Sequence, residues 1–325
     1  MDPEPTPSPT EPPPPAANPE PQRRWLILLA GILLGDLVIG LQFGITLLLK
    51  DKVALVRTLG LPSLFLVPVL GGLITSYIWR SVKPTIGLTI VNSLWMTVLA
   101  LAVGVAVFHE GAICLLILSP VFFVSVLTGA LVGRVIFKND PTRLQVSLLP
   151  LLAVLVAAEP MARTQRQNAV RDEILIHASP GKVWPQLTSF GRISARPGFW
   201  LFRMGLPYPE STTAAGDFVN ADRECTFSGN ATFKEKVVEL VPRQKLTFDI
   251  IESPQDPELV GHLTPHRGQF VLKANADGTT TLIGTTWYTL HVRPLWYFDL
   301  WTHHIFRAVH LRVMEDIRRR AESSP

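Results

Sequence analysis

The sequence predicts two parts of different fold class, an α-helical transmembrane bundle followed by an α+β domain. Two observations predict the bundle and its end. Four long apolar runs and one short one occupy the chain from Trp25 to Ala158, and ordinary soluble-protein patterning begins near Arg163. A third observation predicts the α+β domain. After the apolar runs, the sequence shows strand-like alternation and then one long stretch with apolar residues at helical spacing.

Composition sets the domain boundaries and narrows the class of protein. Proline-rich residues 1–22 predict a disordered tail, residues 23–162 a transmembrane helical domain, and residues 163–325 a soluble domain. The net charge is +4, with no basic block of the kind that binds nucleic acid. Cys114 and Cys225 lie in different parts, so we expect neither a disulfide framework nor a cysteine metal site.

The apolar runs predict four membrane spans and leave a fifth open. Runs 25–49, 59–79, 86–108 and 112–137 each exceed the roughly 20 residues that cross the hydrocarbon core. Run 146–158 is shorter and contains Pro150, which is more typical of an interfacial or re-entrant segment.

Basic residues predict the orientation of the bundle. With four spans, most arginines and lysines flank the runs on the side of the N-terminus, and Lys50, Lys52 and Arg57 lie on the other. The positive-inside rule then favours four spans and a cytoplasmic C-terminal domain, whereas a fifth span reverses the side.

Asp36 is an acidic residue well inside an apolar run. An ionisable group at that depth is a functional hypothesis by default, because its burial in hydrocarbon is costly. The alternative is packing against a polar partner such as Gln42 or Asn92.

The soluble part reads as strand, short helix, antiparallel strands and long helix. A strand is predicted from Glu173 to His177, followed by a helix that starts at Ser179-Pro180. Two hairpin turns are predicted at 241–244 and 275–278, the second from Asp-Gly. The remaining predicted elements are strands 217–227, 232–240, 244–252, 268–274 and 280–292, and a helix from Pro294 to about Glu322.

The segment Ile174-Leu-Ile-His-Ala-Ser-Pro-Gly-Lys-Val-Trp184 resembles the opening of the START-like superfamily, also called SRPBCC or the polyketide cyclase/dehydrase and lipid-transport superfamily. The closest likeness is to an uncharacterised bacterial membrane-attached group, through segments 201–205, 223–228, 267–270 and 284–288. The resemblance covers about residues 172–321. It implies a helix-grip fold, in which a curved antiparallel sheet grips the C-terminal helix around an apolar cavity, and it implies no particular reaction.

Candidate site residues fall into three groups. Asp299, His303 and His310 share a face of the last helix and are candidates for acid–base chemistry, although side chains that satisfy one another are the simpler interpretation. Arg203, Arg223 and Arg267 are candidates for contact with a carboxylate or phosphate headgroup. The predicted cavity lining is Trp184, Trp287, Tyr288, Trp301, Ile305 and Val309.

Three functions remain open at this stage. The first is a membrane-anchored binding module for a hydrophobic ligand, lipid or isoprenoid-like. The second is an enzyme of the cyclase or aromatase kind that uses the His303, His310 and Asp299 face. The third is transport or sensing by the bundle, with the soluble domain as regulator. We expect a bacterial inner-membrane protein whose partners are the lipid bilayer and an apolar small molecule, with no cofactor, no metal and no nucleic acid; the sequence does not define an oligomeric state.

Overall fold

A computed structural model of the protein describes residues 21–49, 60–109, 111–137, 167–260, 262–292 and 295–323. Residues 1–20 of the predicted tail, the apolar run 146–158, and Lys50, Lys52 and Arg57 lie outside the described residues, and the last two residues of the predicted tail belong to the first helix.

The N-terminal part contains four apolar helices within the described ranges. They are α1 (Pro21–Leu49), α2 (Gly60–Trp79), α3 (Ile86–Phe108) and α4 (Ala112–Ile136). Three of them, α1, α3 and α4, carry stretches long and apolar enough to cross a membrane, and the described apolar stretch of α2, Phe65–Trp79, is shorter.

Helices α2 and α4 make the closest approach in the bundle. A Cβ atom on Gly72 would overlap the backbone of Val126 and Ala130, and a Cβ atom on Gly129 would overlap the backbone of Val69. The two glycines therefore face each other's helices reciprocally. This is the contact that small residues permit between membrane helices.

The bundle has two chemically different ends. At one end the Trp79 indole donates to the Leu28 carbonyl at 3.1 Å, and Arg134 donates to the carbonyl of Pro84. At the other end the ring of Phe43 packs edge-on against Phe108, with 4.8 Å between the centroids. Helix α4 begins at this second end.

The C-terminal part is one antiparallel sheet of seven strands in the order β1-β7-β6-β5-β4-β3-β2. The strands are β1 (Gln167–Ile176), β2 (Pro209–Ala214), β3 (Asp222–Phe227), β4 (Thr232–Val241), β5 (Lys245–Glu252), β6 (Leu263–Ala274) and β7 (Thr280–Leu290). Short helices α5 (Pro180–Val183), α6 (Pro185–Thr188) and α7 (Trp200–Arg203) lie between β1 and β2. The long helix α8 (Leu295–Ser323) follows β7.

The hairpin turns and the long helix lie where the sequence predicts them, but three strands do not. Strand β1 starts at Gln167, six residues before the predicted start at Glu173. Strand β2 lies where the sequence analysis predicts no strand, because it is short and opens with a proline. The predicted strand 217–227 begins only at Asp222, since Asn220 has a left-handed backbone (φ 73°).

Helix α8 is bonded to both edges of the sheet. At β1 its His310 and Arg307 contact the carboxylate of Asp172, and at β2 its Arg312 donates to the Pro209 carbonyl at 2.9 Å. One straight helix reaches both edges only because the sheet curls around it. The result is an α+β domain in which an antiparallel half-barrel encloses its last helix.

The C-terminal domain contacts the end of the bundle where α4 begins. Ile113 and Ile117 of α4 are buried in an apolar cluster with Leu206, Leu290 and Phe298 of the domain. The Tyr297 hydroxyl donates to the Ile117 carbonyl at 2.6 Å. Helix α4 is about 37 Å long at 1.5 Å per residue, so this contact lies far from Phe137, where the helix has ended.

The reciprocal glycine contact makes a stability prediction. We expect Gly129→Val to lower the free energy of unfolding by about 1–3 kcal/mol, because the added side chain must push the α2 backbone away. Thermal unfolding of the purified protein in detergent measures the loss. Gly40→Ala is the matched control, since no atom lies within 4 Å of a Cβ at Gly40. Equal melting of the two variants would contradict the packing described.

Candidate functional site

An apolar cavity of about 150 Å³ lies between the concave face of the sheet and α8. The sheet contributes aromatic rings and the helix contributes aliphatic side chains. Much of the wall is formed by Phe190, Phe233, Phe248, Phe270, Ile305 and Val309. A cavity lined in this way removes apolar groups from water, which is the principal requirement of a site for a hydrophobic ligand.

A buried ion pair interrupts the apolar wall. Arg223 on β3 and Glu235 on β4 lie directly opposite each other in the strand register and form a salt bridge, with 3% and 5% of the residues exposed. The Arg223 guanidinium also lies 4.3 Å from the ring centroid of Phe248, and that ring covers Gly268 so closely that no side chain fits there. Burial raises the pKa of Glu235, and the charge of Arg223 lowers it in part.

Next to this pair the cavity wall carries a hydroxyl group without a hydrogen bond among the described residues. Thr212 on β2 is 1% exposed, lines the cavity, and its Oγ1 is unpartnered. Its cross-strand neighbour Cys225 offers only a thiol, a weak hydrogen-bonding group, and burial followed by the charge of Glu235 raises the pKa of that thiol to about 12. Arg223 and Thr212 therefore define a polar spot in an otherwise apolar wall.

A second polar spot joins the cavity to the helix. His310 of α8 is hydrogen-bonded on both ring nitrogens: Nδ1 lies 2.9 Å from Asp172 Oδ2, and Nε2 lies 2.8 Å from Thr286 Oγ1. His310 and Thr286 line the cavity, and Asp172 lies behind them with 5% of its surface exposed. Burial alone would raise the pKa of Asp172, but the hydrogen bonds and charges of His310 and Arg307 outweigh it and lower that pKa.

The loop between β5 and β6 joins the cavity to the helical bundle. Glu258 and Leu259 of this loop line the cavity. The Glu258 carboxylate also accepts hydrogen bonds from the backbone amides of Ile113 at 2.9 Å and Cys114 at 2.8 Å, in the first turn of α4. A carboxylate in this position satisfies amides that have no partner within the helix. Burial raises the pKa of Glu258, and the two amides oppose that rise.

The structure separates the predicted lining residues. Ile305 and Val309 line the cavity. Tyr288 is fully buried, on the same face of β7 as Thr286, which also lines the cavity. Trp287 is on the other face of β7, beside Arg267 and Asp249, because neighbouring residues of a strand point to opposite sides. Trp184 lies in the core under α5, and Trp301 packs against Trp200 near the start of α8.

The predicted acid–base face is also divided. Asp299 accepts from the Tyr288 hydroxyl and from the Asn168 amide, both at 2.7 Å, so its carboxylate belongs to a structural network. His303 is exposed to solvent, and His310 points to Asp172 and Thr286. The three residues therefore share a helix without sharing a site.

The predicted headgroup arginines lie in three different environments. Arg203 is exposed and donates to the Pro197 carbonyl at 3.2 Å, and Arg267 pairs with Asp249 on the outer face of the sheet at 2.6 Å. Arg223 is the one of the three that lines the cavity.

Asp36 is partly buried in the bundle, and both of its carboxylate oxygens lack a hydrogen-bond partner among the described residues. The amide nitrogen of Asn92 is likewise unpartnered there, so these two side chains do not bond to each other. Within the described ranges, no group of three or more histidine, cysteine, aspartate or glutamate side chains is arranged to hold a metal ion.

Sequence reasoning missed Asp172, Thr286, Thr212 and Glu235 as site residues. The pair of Arg223 and Glu235 had a usable signal, because a tight connection at 228–230 sets the two residues opposite each other in a hairpin. Asp172 had no local sequence signal, since it is 138 positions from His310 and the predicted strand began after it.

No protein-family model matches the chain, and no curated protein matches it either. Solved structures similar to the chain include a protein from Nitrosospira multiformis (15% identity, 48% of this chain and 97% of that chain, TM-score 0.34). Another is a truncated norcoclaurine synthase from Thalictrum flavum (14% identity, 50% of this chain and 98% of that chain, TM-score 0.35). The topology and contacts of the chain define a half-barrel sheet around a C-terminal helix, joined to apolar helices.

The lowered pKa of Asp172 predicts how stability depends on pH. A carboxylate whose pKa is lower in the folded state adds stability above its unfolded pKa, and the addition is lost as the pH falls through the folded pKa. We expect Asp172→Asn to reduce the melting temperature at neutral pH. In acid we expect a smaller difference in melting temperature between the variant and the native chain. Melting curves across this pH range test the expectation, and a gap that widens in acid would contradict it.

Proposed function

We propose that the protein is a membrane-anchored binding module that takes a hydrophobic ligand, lipid or isoprenoid-like, into the cavity between sheet and helix. The observation that carries the proposal is the loop containing Glu258 and Leu259. It forms part of the apolar cavity wall and is hydrogen-bonded to the first turn of an apolar helix of spanning length. An apolar cavity held against a membrane helix is well placed to exchange ligand with the bilayer.

The cavity volume limits what the site takes without rearrangement. A dry protein cavity of about 150 Å³ accommodates a molecule the size of benzene, and the cavity here is about 150 Å³. An isoprene-sized group or a short length of alkyl chain fits, and a longer chain needs the cavity to widen. Arg223 and the unpartnered Thr212 hydroxyl favour a ligand that carries one hydroxyl or anionic group at its buried end.

Exposed apolar side chains near the junction support the membrane-facing arrangement. Trp296 is 75% exposed, Leu300 56% and Trp200 46%, and Tyr297 between the first two is bonded to α4. Tryptophan and tyrosine are enriched at membrane–water interfaces, where the ring is apolar and its polar edge stays wet. These side chains would lie at the surface of the bilayer beside α4.

We infer the membrane side of the domain from the two ends of the bundle. The expectation of a cytoplasmic domain assumed that it follows the end of the fourth span. The contacts instead join the domain to the start of α4, whereas Arg80, Lys83 and Arg134 line a pocket at the opposite end. If the basic end faces the cytoplasm, the C-terminal domain faces the other side.

The ligand site is tested by filling the cavity. We expect Val309→Phe to weaken binding of a fluorescent fatty acid by at least ~10-fold, because the new ring occupies space that the alkyl chain needs. Fluorescence titration of the full-length protein in nanodiscs, with farnesol as competitor, measures the affinity.

His304→Phe is the matched control for that titration, since His304 is an exposed residue of the same helix and also gains a ring. Equal affinities for the two variants, or no saturable binding by the native chain, would refute the proposed site.

The membrane side is tested with single cysteines in a chain whose Cys114 and Cys225 are replaced by alanine. Ala276 is exposed in the β6–β7 turn, and Ser81 is exposed at the basic end of the bundle. We expect a membrane-impermeant maleimide to modify Ala276→Cys on intact cells and Ser81→Cys only after permeabilisation. The reverse pattern would place the domain in the cytoplasm.

A further inference from the structure

Three histidine–threonine hydrogen bonds occur between side chains in the part of the chain that the structure describes. They join His310 to Thr286 at 2.8 Å, His266 to Thr289 at 2.7 Å, and His291 to Thr264 at 2.8 Å. Among the described residues, only the pair of His310 and Thr286 has a carboxylate hydrogen-bonded to the second ring nitrogen of the histidine. The Thr286 hydroxyl of this pair also lies in the cavity wall. Hydroxyl, imidazole and carboxylate thus form a continuous chain from the cavity into the protein.

The direction of the hydrogen bonds follows from the charge of Asp172. Its pKa is lowered and Arg307 contacts its other oxygen at 2.7 Å, so the carboxylate is ionised and only accepts. Nδ1 of His310 therefore donates to Asp172. In the neutral ring this leaves Nε2 with a lone pair, and that nitrogen accepts the hydrogen of the Thr286 hydroxyl.

We propose that Thr286 is the nucleophile of an acyl-transfer site in this cavity, with His310 as its general base and Asp172 as the positioning residue for the imidazole. The roles follow the general arrangement in which a hydroxyl is activated by a base that a third group orients. The class of substrate is an ester with a small apolar acyl group, because the cavity that Thr286 lines is also lined by Phe270, Phe306 and Val309.

The proposed reaction is ester hydrolysis in two steps. Thr286 Oγ1 bonds to the carbonyl carbon as its proton passes to His310 Nε2, and the same proton then leaves with the departing alcohol as the C–O bond breaks. Water, the second reactant, gives its proton to Nε2, bonds to the acyl carbon and releases the acid, and the proton returns to Thr286 Oγ1. Asp172 stays ionised throughout and stabilises the imidazolium formed in each step.

A covalent trap tests the nucleophile directly. The full-length protein in nanodiscs is treated with an alkyl fluorophosphonate, which forms an O–P bond to an activated hydroxyl and loses fluoride. We expect one adduct, located on Thr286 by peptide mass spectrometry. Thr286→Val removes the adduct, and Thr286→Ser retains it because serine keeps the hydroxyl.

Thr289→Val is the matched control, since it deletes the hydroxyl of a histidine–threonine pair that has no carboxylate hydrogen-bonded to its histidine among the described residues. It should leave the labelling rate unchanged. Asp172→Asn should slow labelling of Thr286 at least ~10-fold and displace its rate-against-pH profile, which a residue that only supports the fold would not do. Melting curves establish that each variant is folded.

The outcomes separate this inference from the proposed ligand site. A protein that binds the fluorescent fatty acid but is not labelled above the level of Thr286→Val overturns the nucleophile and leaves the binding module standing. Labelling that is equally fast in Asp172→Asn also overturns the assigned relay. Labelling of Thr286 in a chain without saturable binding would support the reactive hydroxyl and reject the carrier.

Discussion

The attachment of α8 to both edges of the sheet is the constraint on which the C-terminal domain depends. At β1 the helix is held by the carboxylate of Asp172, which contacts Arg307 and His310, and at β2 it is held by Arg312 on a backbone carbonyl. Between these edges the strands curve away from the helix, and the space left there is the cavity. The same carboxylate therefore supports the architecture and orients the one imidazole that reaches the cavity, within the part of the chain that the structure describes.

The cavity combines apolar walls with ionisable groups that are costly to bury. Removing Arg223 or Glu235 alone leaves an uncompensated buried charge, which typically costs about 3–5 kcal/mol, although replacing a whole pair with apolar residues is often neutral. The pair is thus a poor source of stability and a good source of selectivity, because it fixes one polar position in an apolar space. The carboxylate of Asp36 presents the same cost in the bundle, and no hydrogen bond among the described residues offsets it.

Local signals in the sequence were sufficient for much of the fold and insufficient for the site. Gly278 defines one turn by its freedom to adopt a positive φ, and Pro242 marks the other by restricting the backbone, so the two hairpins could be predicted from a few residues each. The chain from Phe190 to Ala214 contains many prolines and aromatic residues, and β2 becomes visible only through pairing with β3. The relay depends on a helix that crosses two strands and so brings together Asp172, Thr286 and His310. The hydrophobic periodicity of the sequence does not predict which strands the helix crosses.

The two edge strands of the sheet are protected in different ways. Outside β2, Phe190 and Thr212 exchange backbone hydrogen bonds at 3.0 and 3.1 Å, so this edge is already occupied. Along β1 the exposed residues Arg171 and Glu173 alternate with buried ones, and charges of this kind discourage pairing with another strand. An open edge strand can pair with the edge strand of another copy, so these two protected edges limit sheet-to-sheet association between copies of the domain.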